Sequence, residues 1–211
     1  NAVPVNVRNS STIYVGGAWS DGLPDSSINA VIQDNLIMDA NISALTLTVN
    51  QGYTITVASG TTLTVENGII NNAGVNGIVV ENNGVLLQTS SAPNDSNFAL
   101  ATVKCNSSNL YRQDYTLWSS PVSGQNLRTF SSMTLFNRFY SYNPALGTIG
   151  DYAQEIFTTA DLNTKLFTNA KGYLIRMPSD WAEFVDSSIA GLQYVGIFKG
   201  TLNNGTISIP L

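Results

Sequence analysis

Leu47-Thr48-Val49-Asn50-Gln51-Gly52, Ile55-Thr56-Val57-Ala58-Ser59-Gly60 and Leu63-Thr64-Val65-Glu66-Asn67-Gly68 are three copies of one unit, apolar-Thr-Val-x-x-Gly, recurring every eight residues. Ile78-Val79-Val80-Glu81-Asn82-Asn83-Gly84 is a looser fourth copy. Each unit reads as a short strand, because its apolar residues alternate with Thr, closed by a turn in which Asn and Gly accept the backbone angles that other residues resist. Short strands at constant spacing are the signature of a stacked coil, in which each coil covers the apolar edge of the one before. Leu47 and Leu63, like Val49 and Val65, stand sixteen residues apart, which predicts a β-solenoid of about sixteen residues per coil. Leu47, Val49, Ile55, Val57, Leu63, Val65, Ile78 and Val80 are predicted to face inward. A meander of antiparallel hairpins with the same turn residues is the rival reading. The short spacing, and turn Asn residues whose amides could stack in ladders, favour the solenoid.

Working outward, residues 1–44 lead into the repeat. Ala2 to Val7 and Thr12 to Val15 alternate like strands, Gly16-Gly17 and Asp21-Gly22-Leu23-Pro24 are turns, and Ile28 to Ile32 supplies another strand. Trp19, between the turns, is expected to cap the open apolar end of the solenoid. The repeat stops at Ser90 to Asn97, a small and polar run that reads as a linker. Beyond it aromatic residues become dense. Strands are predicted near Phe98 to Cys105, Tyr115 to Trp118, Arg138 to Tyr142, Gly172 to Met177, Leu192 to Lys199 and Gly205 to Ile209, with a short helical turn capped by Asp161. The fold class expected is therefore all-β: a short β-solenoid over residues 1–92, followed by an aromatic-rich β-sandwich over residues 98–211.

Composition narrows the chemistry. Only 11% of residues are charged, against about 25% in an average soluble domain. A surface so poor in charge tolerates close contact between copies, so copies of the chain are expected partners. A net charge of −5 with no basic run argues against nucleic acid. No stretch is long and apolar enough to suggest a membrane span. Histidine is absent and Cys105 is the single cysteine, which excludes Ser-His and Cys-His nucleophile pairs, ordinary zinc sites and an intramolecular disulfide. Cys105, in alternating sequence, is expected as a small buried hydrophobe.

Few acids remain to be weighed. Glu66 and Glu81, fifteen residues apart, could stack on neighbouring coils as a paired-acid site, but two solvated turn residues are the stronger expectation. Asp21, Asp25, Asp34 and Asp39 do not match a compact calcium loop and read as turn residues. No catalytic, metal or cofactor residues are predicted, and the chain is not expected to be an enzyme. In the second domain Arg112, Asp114, Arg138, Lys171 and Arg176 stand beside aromatics. Trp181, Tyr173 and Arg176 are the candidate sugar-contact surface, because Arg and aromatic rings together can hold a carboxylate or stack on a sugar. Pairing of Arg138 and Arg176 with Asp114 or Asp151 is the structural alternative. Val3, Val5 and Val7 at one end, and Ile207 and Ile209 at the other, are candidate strands for adding to a neighbouring copy.

Tyr14-Val15-Gly16-Gly17-Ala18-Trp19-Ser20-Asp21-Gly22-Leu23-Pro24 with Asn29-Ala30-Val31-Ile32, then Trp118-Ser119-Ser120-Pro121-Val122, Asn137-Arg138-Phe139-Tyr140-Ser141-Tyr142-Asn143 and Lys171-Gly172-Tyr173-Leu174-Ile175-Arg176-Met177-Pro178, resembles the large cell-surface proteins of Bacteroidota exported by the type nine secretion system. The resemblance covers nearly the whole chain in order. It implies secretion, residence outside the cell or on its surface, and a non-enzymatic role in an adhesin, filament or surface layer. Such proteins commonly end in a sorting domain, which this chain does not carry before Leu211, so a trimmed or partial protein is expected. The function expected from the sequence is thus structural or adhesive, with a carbohydrate-binding module that contacts surface glycans as the alternative.

Overall fold

The fold is taken from a computed structural model, which describes residues 10–92, 99–143, 152–186 and 188–208. The chain divides into two compact units, Asn1–Thr102 with Asn204–Thr206, and Val103–Asn203 with Ile207–Leu211.

The first unit holds β1 (Ser11–Val15), β2 (Ala18–Trp19), β3 (Asn29–Ile32), β4 (Leu36–Ile37), β5 (Ile42–Val49), β6 (Ile55–Val57), β7 (Thr62–Asn71), β8 (Ile78–Val80) and β9 (Val85–Gln88). One sheet runs β2-β1-β3-β5-β7-β9 and a second places β8, β6 and β4 side by side. Apart from the small β1–β2 hairpin, the pairings within these strands are parallel. Parallel neighbours cannot be joined by tight hairpins, so the meander is ruled out and the unit is a β-solenoid of about four turns. All eight residues predicted to face inward are buried.

The coil is longer than the eight-residue repeat implies. Leu47 pairs with Ile69, 22 residues on, and Ile55 pairs with Ile78, 23 on. Leu63 does not stack on Leu47; it pairs with Ile42 below and Leu86 above. The reason is a register shift between Ala44 and Thr46, where one strand spends an extra residue. Burial alternates along Ile42 and Ala44, slips a residue, and resumes at Leu47 and Val49, while β7 takes three residues from Val65 to Gly68 where β5 takes two from Ala44 to Thr46. A bulge of this kind bends the strand. Each long strand therefore supplies two sides of a coil, and the repeat counts one side too few.

Turn and edge amides stitch successive coils. Asn41 Oδ1 accepts from the Thr62 N–H at 2.8 Å, Asn35 Oδ1 from the Thr54 N–H at 3.0 Å, and Asn29 Oδ1 from the Thr46 hydroxyl at 2.7 Å. These amides reach the next coil's backbone or hydroxyl, in place of the expected amide ladder. Asn71, only 2% exposed, donates to the carbonyls of Gly74 and Leu100 and accepts from the Ala73 N–H. At Gly84 a Cβ would sit 2.5 Å from the Val57 carbonyl, so only glycine lets the β8–β9 turn pass the coil below. Trp19 lies on the outermost strand of the first sheet, edge-on to Tyr14 at 5.4 Å.

In the second unit, continuing from β10 (Leu100–Leu110), come β11 (Tyr115–Trp118), β12 (Val122–Ser123), α1 (Leu127–Phe130), β13 (Phe139–Tyr142), β14 (Tyr152–Gln154), α2 (Asp161–Thr164), β15 (Tyr173–Arg176) and β16 (Leu192–Leu202). One antiparallel sheet has the order β11-β15-β13-β14, and β16 lies between β12 and β10. Between them lies an aromatic core. Trp118 meets Phe130, Tyr194 and Phe198, and Phe167 meets Phe130, Phe198 and Tyr173. Gly196 leaves room for Trp118, whose ring atoms would lie 2.7 Å from an added Cβ.

Three expectations are corrected. Cys105 is exposed; it lies just beyond Thr102, where β10 leaves the first unit, and outside the packed cores. Residues 205–208 form no strand, and Asn204 instead donates its amide to the carbonyls of Ser90 and Ala92. Asp161 begins α2 rather than capping it, accepting from the Phe157 and Thr158 N–H groups. The predicted strand at Ala2 to Val7, and Ile209, lie outside the described residues.

Replacing the inward Leu63 by Ala is expected to cost about 2–5 kcal/mol, read as a lowered urea midpoint of the full chain. Thr64→Ala, one residue on and outward, is expected to change stability by about 0.5 kcal/mol or less. Equal losses at the two positions would contradict the assignment of faces.

Candidate functional site

The antiparallel sheet of the second unit has one face in the aromatic core and one turned outward. Successive side chains of a strand point to opposite faces, so burying Trp118, Phe139, Tyr173 and Ile175 sends Tyr115, Leu117, Tyr140, Tyr142, Leu174 and Arg176 outward. Their exposure rises along the face: Tyr115, Tyr140 and Arg176 are half-buried, while Leu117 and Tyr142 are 63% and 60% exposed. Tyr142 pairs with Tyr152 of β14, ring centroids 6.0 Å apart. Tyr115 and Tyr140 are tilted together at 6.1 Å.

Two arginines enter this face. Tyr115 is the cross-strand partner of Arg176. Arg138 ends the one-turn helix Phe136–Arg138, immediately before Phe139, which is opposite Ile175 on β15. Arg138 donates from Nη1 to the Tyr140 hydroxyl at 3.2 Å, and that hydroxyl donates to the Asn137 carbonyl at 2.9 Å. Arg176 donates from Nη1 to Gln113 Oε1 at 3.1 Å. Burial and the neighbouring Tyr140 raise the Tyr115 pKa, while Arg138 and Arg176 both oppose the rise, so one phenol lies within electrostatic reach of both guanidiniums.

The sequence-predicted sugar surface is not assembled as expected. Tyr173 is 1% exposed, with its hydroxyl on Thr168, and lies on the opposite face of β15 from Arg176 because the two are an odd number of residues apart. Trp181 donates its indole N–H to the Leu110 carbonyl at 3.1 Å and packs edge-on to Tyr194. Arg176 alone of the three is on the outward face. The carboxylate pairings expected for Arg138 and Arg176 are also not formed with Asp114, whose carboxylate accepts from the Tyr111 N–H; Asp151 lies outside the described residues. Arg112 pairs with Glu183 at 2.7 Å and Lys171 with Glu155 at 2.9 Å. The residues missed were Tyr115, Tyr140, Tyr142 and Tyr152. Their signal was present in the period-two alternation of Tyr115-Thr116-Leu117-Trp118 and Phe139-Tyr140-Ser141-Tyr142.

Other polar sites are occupied by internal bonds. A cleft of about 510 Å³ is lined by Gln125, Asn126, Thr129 and Lys199. Gln125 there bonds Thr129 and the Lys199 N–H, and Asn126 caps α1 by accepting from the Thr129 N–H. In the solenoid, Glu66 accepts from the Thr89 hydroxyl on the next coil, whereas Glu81 follows β8 on the other sheet. The two acids therefore sit on different sides of one coil and do not pair. Asp25 accepts from the Ser27 N–H and hydroxyl. Although Cys105 is solvent-exposed, the surrounding protein partly desolvates its thiol and pushes the pKa up, which lowers its thiolate fraction.

The sequence profile of the family described as "Domain of unknown function (DUF8693)" matches residues 9–211, and the chain belongs to that family. No curated protein and no solved structure matches it.

Glu155 ties the rim of the sheet together and should be visible in the pH dependence of stability. Burial alone would push its carboxyl up, but the Ser141 hydroxyl and the Lys171 ammonium outweigh burial and hold it below the ordinary value. A carboxyl depressed in the folded state contributes stability that is fully present above its unfolded value, about 4.3, and is lost as pH falls through the folded value. The stability difference between the wild type and Glu155→Gln should therefore narrow from roughly pH 6 to roughly pH 3 in urea titrations. A difference that stays constant across that range would contradict the assignment.

Proposed function

We propose that this member of the DUF8693 family is a non-catalytic adhesive module of an extracellular surface protein, with the outward face of the β11-β15-β13-β14 sheet as its contact surface. The observation that carries the reading is a platform of tyrosines, with Leu117 and Tyr142 the most exposed, on a sheet whose reverse face is fixed in an aromatic core. Such a face is pre-organised, so little side-chain freedom is lost when a partner settles on it. Tyr suits the task because its large ring is set by only two side-chain torsions and carries a polar tip. Sugar rings fit this surface well, since their polarised C–H bonds meet the negative face of an aromatic ring while the phenol hydroxyls bond sugar hydroxyls. The solenoid then serves as a support with few charges of its own. Export by the type nine system and residence at the cell surface are part of this reading, and rest on the resemblance of the sequence motifs.

Self-association into a filament or surface layer is a second reading. It is favoured by β9, the last strand of the described solenoid sheet, where Val85 and Leu87 are 40% and 50% exposed. An apolar strand at the end of a sheet is a template for another chain.

A glycan array read alongside sedimentation separates the two. Selective glycan binding that weakens about tenfold or more in Tyr142→Ala/Tyr152→Ala, at about 0.5–1.5 kcal/mol per ring and with an unchanged unfolding midpoint, is the expected result. Concentration-dependent assembly without affinity for any sugar would replace the adhesive reading with the second one.

A further inference from the structure

Arg138 and Arg176, both within electrostatic reach of Tyr115, are the least satisfied charges at the described sheet. Each spends Nη1 on a neutral acceptor, the Tyr140 hydroxyl or Gln113. Each also has a buried Nε with no hydrogen-bond partner. Among the described residues no carboxylate pairs with either, although Arg112 and Lys171 have both found one. A buried charged donor without an acceptor costs free energy. A chain with 14 acidic and 9 basic residues has acids to spare for neutralising the two, yet their partners among the described residues are neutral.

We propose that Arg138 and Arg176 together bind the carboxylate of an acidic glycan, a uronate-type residue whose ring lies on Tyr115 and Tyr140. This inference rests on the adhesive reading above and names its ligand. Two planar guanidinium forks within reach of one phenol, one at the end of β15 and one in the turn before β13, can match the two oxygens of a carboxylate, which a pair of ammonium groups would not do with the same geometry. The tyrosines argue for a ligand with a ring face beyond the anion, since a free inorganic anion would leave them unused. Nucleic acid is disfavoured because its affinity comes from neutralising many phosphates, and the face offers two cations in a chain of net charge −5.

The test uses the full chain in calorimetric titrations with polygalacturonate, its methyl-esterified form, neutral dextran and dextran sulfate at one fixed salt concentration. Polygalacturonate should bind, and methyl esterification of the same backbone should weaken it at least tenfold. R138M and R176M should each weaken it about tenfold or more, while R138K/R176K, which keeps the charge but loses the forks, should fall between wild type and the methionine variants. Because the ester comparison is made with wild-type protein, it stands even if a variant folds poorly. Dextran binding that matches polygalacturonate, with the methionine variants unaffected, would overturn this inference and leave the adhesive reading intact. Dextran sulfate binding as tightly as polygalacturonate would overturn the choice of carboxylate over sulfate ester. Binding to none of the four, together with no hit on a broad glycan array, would bring down both.

Discussion

Every strand in this protein has two faces, and the burial of one dictates what the other can present. In the solenoid the buried face is a column of Leu, Val and Ile, including Leu47, Ile55, Leu63 and Ile78, each with no measurable exposure. Fully burying such a side chain contributes about 1.5–3 kcal/mol, whereas a hydrogen bond nets only about 1 kcal/mol. The aliphatic column therefore holds the coils together. The coil-to-coil bonds from Asn29, Asn35 and Asn41 select the register in which they stack. In the second unit the same rule places Trp118, Phe139 and Tyr173 inside and leaves Tyr115, Tyr140 and Arg176 outside.

What depends only on this alternation was legible in the sequence. Inward residues, strand type and the change from aliphatic to aromatic packing follow from local pattern, and they match the structure. Coil length is different, because it depends on which strands become neighbours. Leu47, Ile55 and Leu63 are equally spaced, but Ile55 lies on one sheet and the other two on different sides of the other. The bulge near Leu45 supplies the missing side. A trace of it was visible at Ile69-Ile70, where apolar sequence continues past Gly68 although the repeat unit has ended.

The candidate site was half legible, for the same physical reason. Choosing Tyr173 and Trp181 relied on their being large aromatics near basic residues, and nearness in sequence ignores the face on which a strand residue lies. Counting by twos from the buried Tyr173 would have put Arg176 outside and Tyr173 inside. The same counting from Trp118 and Phe139 brings out Tyr115 and Tyr140. Even then, the approach of Arg138 and Arg176 to Tyr115 depends on β15 pairing with both β11 and β13, a long-range fact that no local pattern contains. Cys105 failed in the opposite way: its context alternates like a core strand, but it falls just past the point where β10 leaves the first unit.

The scarcity of charge gives the arginine pair its meaning. A net charge of −5 opposes the approach of an acidic polymer, but at physiological salt that field decays over about 8 Å, so only groups near the contact influence binding. On the outward sheet face those groups are two guanidiniums and several phenols. The Tyr140 hydroxyl and the Gln113 amide oxygen accept from Arg138 and Arg176. They are neutral acceptors, however, and cannot cancel two charges. An anion arriving at this face would gain from both guanidiniums, whereas a neutral ligand would gain only the rings. On the proposed reading the face therefore discriminates by charge at the point of contact, even though the whole molecule carries the opposite sign.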